Sequence, residues 1–131
     1  MTPKVEQAIT ECAEASAAGR IHFGEVVATL VGVGVESYLV DYRASRATYY
    51  FPNGEVLTLK THHPHEVVAD TFDASGVKAA IRGAQLGVVM YPEFVHLTKQ
   101  AGCASYVVWI AVRHVTYFGR RGETHVERFP D

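Results

Sequence analysis

Residues 19–55 read GRIHFGEVVATLVGVGVESYLVDYRASRATYYFPNGE, and residues 87–123 read GVVMYPEFVHLTKQAGCASYVVWIAVRHVTYFGRRGE. Laid on one another without a gap, at an offset of 68, eleven of the 37 positions are identical. They are Gly19/Gly87, Glu25/Glu93, Val27/Val95, Gly34/Gly102, Ser37/Ser105, Tyr38/Tyr106, Val40/Val108, Thr48/Thr116, Tyr49/Tyr117, Gly54/Gly122 and Glu55/Glu123. Ordinary residue frequencies give about two or three. Substitutions also keep their character, as in Phe23/Tyr91, Val26/Phe94 and Tyr50/Phe118. The chain therefore reads as an internal duplication, a pattern to settle before any other.

Each copy carries the same succession of periods. Thr2 is an N-cap before Pro3, and Val5, Ile9, Cys12 and Ser16 recur at helical spacing until Gly19. In the second copy a helix starts near Asp73–Ser75, with Val77, Ala80, Ile81 and Ala84 on one face, and stops at Gly87. Short helices follow at 23–30 and 91–100, with Gly32 or Gly34, and Gly102, as their stops. The period then falls to 2. Strands are expected at 37–42, 47–51 and 55–60, and again at 105–110, 114–118 and 124–129, with turns at Asn53–Gly54 and Arg121–Gly122. The expected fold class is α+β: a helix–helix–β-meander unit used twice with pseudo-two-fold symmetry, helices packed on antiparallel sheet. One domain, 1–131, would consist of repeats at about 1–60 and 70–131 joined by a linker, 61–69. Whether six strands make one sheet or two stays open.

Bulk properties narrow the function classes. The chain has 131 residues, 48% apolar and 20% charged, and a formal net charge of −2. That balance removes the general electrostatic case for nucleic acid or an anionic membrane as partner. The first fifteen residues contain acids and no apolar core, unlike a secretory signal, and no run approaches a membrane span. Cys12 and Cys103 lie in no metal or redox spacing and read as reduced, buried residues of a cytoplasmic protein.

The strings SYLVDYRASRATYYFPNGE, VADTFDASGVKAAIRGAQLG and YPEFVHLTKQAGCASYVVWIAVRHVTYFGRRGETHVERFP together resemble the bacterial domain-of-unknown-function family 1398. The resemblance runs from about residue 20 to the end. It implies a small protein of a family partly carried on prophages and sometimes labelled phage envelope protein. It implies no activity, cofactor or catalytic residue.

The repeat also sorts the polar residues. Those kept in both copies should hold the unit together, and those found in one copy could build a single site. Glu25 and Glu93 sit in the first turn of the short helices, where a carboxylate favours the positive end of the dipole; the alternative is a paired acid/base site. Tyr38/Tyr106 and Tyr49/Tyr117 read as sheet core or cross-strand pairs. Trp109 reads as core. His62, His63 and His65 form an HHPH segment with no counterpart in the second copy. Three imidazoles in four residues raise ligand density, although Pro64 extends the segment and neighbours point apart. A zinc site would need a further ligand such as His125, Glu66 or Asp70; a solvated or capping cluster is the plainer reading. Asp41 and Arg43, two apart on one strand, would share a face and pair, or bind a polar ligand. Arg113, Arg120 and Arg121 flank Tyr117 and Phe118, but without an RNA-binding signature and offset by nearby acids.

No glycine-rich dinucleotide loop, Walker loop, C-x-x-C or H-E-x-x-H occurs. The expected function is a non-enzymatic binding or interaction module without a cofactor, with a protein partner, a second copy or a small molecule as its target. Two alternatives are carried beside it. One is a metal-dependent hydrolase using His62, His63 and His65. The other is a small-ligand site at the pseudo-dyad using Glu25, Glu93, Asp41 and Arg43.

Overall fold

The computed structural model describes residues 1–130. Ten elements follow in order: α1 (Pro3–Ala17), α2 (Phe23–Gly32), β1 (Ser37–Asp41), β2 (Arg46–Tyr50), β3 (Val56–Lys60), α3 (Ala74–Gln85), α4 (Tyr91–Gln100), β4 (Cys103–Trp109), β5 (His114–Gly119) and β6 (Thr124–Arg128). The six strands form one antiparallel sheet in the order β3-β2-β1-β4-β5-β6. The α+β class is as expected, and the strands make one sheet rather than two.

Local chemistry starts and stops the elements where the sequence suggests. The Thr2 hydroxyl accepts from the Val5 N–H, and the Asp73 carboxylate from the Gly76 N–H, so each first helix has a side-chain N-cap. In α2 the Glu25 carboxylate reaches back to the His22 N–H. Backbone conformation repeats at the offset of 68 as well. Positive φ occurs at Gly19 and Gly87, Gly34 and Gly102, Ser45 and Arg113, and Gly54 and Gly122, and at no other described residue.

The junction of the halves is a strand pairing. In the β1–β4 register Leu39 faces Val107, its own counterpart; Tyr38 faces Val108 and Val40 faces Tyr106. The register of this pair is therefore symmetric about Leu39 and Val107. Along each strand alternate residues face the helices: Tyr38 and Val40, Ala47 and Tyr49, Tyr106 and Val108, Val115 and Tyr117 are all buried. The opposite face carries Leu39, Thr48, Val107, Trp109 and Thr116 without a helix above it. Trp109 is thus not core. It is 40% exposed, and its indole N–H donates to the Thr116 hydroxyl across the strand pair.

Candidate functional site: a tyrosine-floored cleft

The two helical pairs sit differently on the sheet. α4 packs against β4 and α3 against β6, whereas α2 packs on α1, and α1 reaches across to α4 rather than down to a strand. Side-chain size accounts for part of this. α4 sends Phe94 into the core beside Tyr117, ring centroids 6.3 Å apart. The matched residue of α2 is Val26, whose side chain is shorter and only partly buried. Between α1–α2 and the sheet there remains a cleft of about 1320 Å³. It exceeds the roughly 300–1,000 Å³ of ordinary small-molecule sites.

The floor of this cleft is aromatic. Tyr38 and Tyr49 stack at 5.4 Å on β1 and β2, and Tyr106 and Tyr117 lie 5.6 Å apart on β4 and β5. Val40 and Ala47 fill in between them, and Cys12, Val26 and Leu30 look down from the helices. The hydroxyls are not equivalent. Tyr106 and Tyr91 share a hydrogen bond of 2.7 Å, and Tyr42 bonds the Thr98 hydroxyl at 2.9 Å. Tyr38, Tyr49 and Tyr117 make no hydrogen bond to any described residue, although buried tyrosine normally finds a partner. Burial pushes the phenols of Tyr38, Tyr42, Tyr49, Tyr91, Tyr106 and Tyr117 upward, so they remain neutral donors at physiological pH.

A smaller pocket of about 420 Å³ adjoins the cleft, under the segment that joins β3 to α3. That segment is tied down: the Ala69 N–H donates to Lys99 O, the Asp73 N–H to Ala101 O, and Val68 is buried. His63 turns inward against Tyr91 and Tyr42, centroids 5.5 and 6.4 Å away. Its Nε2 is buried without a hydrogen-bond partner. Burial, and then the charges of Lys99 and His62, hold its pKa below the ordinary histidine value. Lys99 itself is only 4% exposed. Its ammonium donates to Pro64 O at 3.3 Å and lies 5.6 Å from the Tyr42 ring centroid.

The residues singled out from the sequence are mostly dispersed. Glu25 caps α2, and Glu93 is exposed in the first turn of α4. Asp41 and Arg43 do not pair along a strand, because β1 ends at Asp41. The Asp41 carboxylate instead accepts the backbone N–H groups of Arg43 and Ala44, both at 3.1 Å, and shapes the turn to β2. Arg113 lies over the Phe129 ring at 5.2 Å. Arg121 is paired with Asp70 at 2.6 Å, with Arg120 3.6 Å from the same carboxylate. His125 stands on β6 beside Tyr117 and Glu127. Burial raises the Glu127 carboxyl, but Arg82 and His125 outweigh it and leave it below the ordinary value. Among the described residues no three His, Cys, Asp or Glu side chains converge as metal ligands, so His62, His63, His65 and His125 do not form the group a zinc site would need. Cys12 and Cys103 are free and buried. No described helix is long and apolar enough to cross a membrane.

Two parts of the site carry no motif in the sequence. The matched tyrosines, expected as sheet core or cross-strand pairs, floor the cleft; their signal is tyrosine rather than phenylalanine on the buried face. Lys99 carries no motif signal, its only trace in the sequence being that it stands 68 residues after Val31. A family model described as "Protein of unknown function (DUF1398)" matches residues 14–127. No curated protein matches the chain.

Proposed function

We propose that this chain, which belongs to the DUF1398 family of proteins of unknown function, is a binding module that encloses a small, largely apolar ligand between α1–α2 and the sheet. The observation that carries this reading is the cleft floor, where Tyr38, Tyr49 and Tyr117 present hydroxyls with no protein partner within a mostly apolar, concave space. Such a combination, apolar walls with a few placed polar groups, is what binds and orients a small molecule. The cleft lies across the β1–β4 pairing and uses matched residues from both halves, which supports reading the halves as copies of one unit. It also relocates the dyad site away from Glu25, Glu93, Asp41 and Arg43. The lining is dominated by apolar and aromatic side chains, which supports a binding role.

Val26→Phe tests the reading by filling the space as Phe94 does in the other half. The variant is expected to melt a few degrees higher than the parent and to lose uptake of an environment-sensitive naphthylamine probe. Unchanged probe uptake in a folded Val26→Phe protein would remove the cleft as the binding site.

A further inference from the structure

Lys99 is a buried cation without a counter-charge. Its ammonium has three N–H donors, one of which reaches Pro64 O, and no described carboxylate pairs with it. The acids nearby are engaged elsewhere: Glu66 bonds His96 at 2.6 Å, and Asp70 holds Arg121 and Arg120. Three more cations, Arg43, Lys60 and Arg120, line the same 420 Å³ pocket, against Glu66 as its one carboxylate. Burying an unpaired charge costs several kcal/mol, and at the matched position of α2 the chain has Val31, which is exposed. The orphaned Nε2 of His63 lies in the same region.

The pocket adjoins the cleft. Lys60, Thr61, His62 and His63 line both. We propose that the small pocket is an anion site built on Lys99, with Arg43, Lys60 and Arg120 around it, that takes the carboxylate or phosphate head group of an amphipathic ligand whose apolar body occupies the cleft. This rests on the cleft being a binding site and adds the chemical class of its occupant. The head group supplies the counter-charge that Lys99 lacks and an acceptor for a His63 Nε2–H. The apolar tail covers the tyrosine floor.

Calorimetric titration of the full chain with decanoate, decyl phosphate, decanol and inorganic phosphate tests it. Decanoate or decyl phosphate is expected to bind about tenfold or more tightly than decanol, the increment of a charge-assisted contact, and the tighter of the two identifies the head group. Lys99→Met should erase that difference while leaving decanol binding intact. Because Lys99 is buried, Arg43→Gln serves as a second variant at an exposed position and should reduce the difference without affecting folding. Equal binding of decanol and decanoate overturns the anion site and leaves the cleft reading standing. Absence of binding by all three chain-bearing ligands overturns both, and inorganic phosphate binding alone overturns the shared ligand. A difference that survives both substitutions overturns the assignment to Lys99 and Arg43.

Discussion

Tyr106→Phe and Tyr38→Phe form a matched pair whose outcomes should differ. The two residues are equivalent in register about the Leu39/Val107 pair and almost equally buried, at 6% and 4% exposure. The Tyr106 hydroxyl shares a 2.7 Å hydrogen bond with Tyr91, whose hydroxyl would be stranded by the substitution. Leaving a buried polar group without its partner costs about 1–2 kcal/mol. For a chain of this length that lowers the melting temperature by about 4–7 °C. Tyr38→Phe removes a hydroxyl with no protein partner and should change stability by less than about 0.5 kcal/mol. Differential scanning calorimetry of the ligand-free proteins measures both. Ligand titration then reverses their order of interest, since Tyr38→Phe should weaken binding despite leaving the fold untouched. Equal thermal shifts for the two variants would refute the hydroxyl inventory on which the cleft reading depends.

Matched glycines give a second contrast. A Cβ on Gly102 would stand 2.2 Å from the Thr71 carbonyl oxygen, at φ +82°, whereas a Cβ on Gly34 meets open space at φ +89°. Gly34→Ala should therefore cost about 1 kcal/mol and Gly102→Ala about 3 kcal/mol or more, read from denaturant midpoints. Acid should reveal His63. Its folded-state pKa lies below 6.5, mainly through burial, so beneath that pH the unfolded chain takes up a proton that the folded chain resists. Stability must then fall as pH drops from 6.5. His63→Asn is expected to flatten this slope in melting temperatures taken from pH 7.5 to 5; an identical slope in both proteins would place the imidazole in solvent.

The elements were legible because their signals are local. Thr2 and Asp73 are caps, Gly54 and Gly122 are turn residues, and strand parity is written in alternate side chains. Parity also contained the correction for Trp109: with Val108 pointing into the core, its neighbour must point out. The single sheet was not legible, since β1 and β4 are joined by a backbone ladder across a long sequence separation that leaves no local signal. Nor was the cleft, because it arises from the stand-off of one helical pair rather than from any motif. Its trace in the sequence is a difference of volume, Val26 where the other half has Phe94. Asp41 misled for a related reason. Two residues share a strand face only while the strand continues, and here the carboxylate itself turns the chain.

The seam between β1 and β4 has a consequence for assembly of the chain. Every other strand pair closes a short turn, while this one must wait for the ends of a much longer loop to meet, so it should form late in folding. Until then each half presents a bare strand edge of matching register. Because the pairing is its own mirror about Leu39 and Val107, the edge of a second molecule satisfies it as well as the edge of the same one. Refolding at high concentration should accordingly yield exchanged dimers, with α1–α2 of one molecule roofing a floor completed by the other.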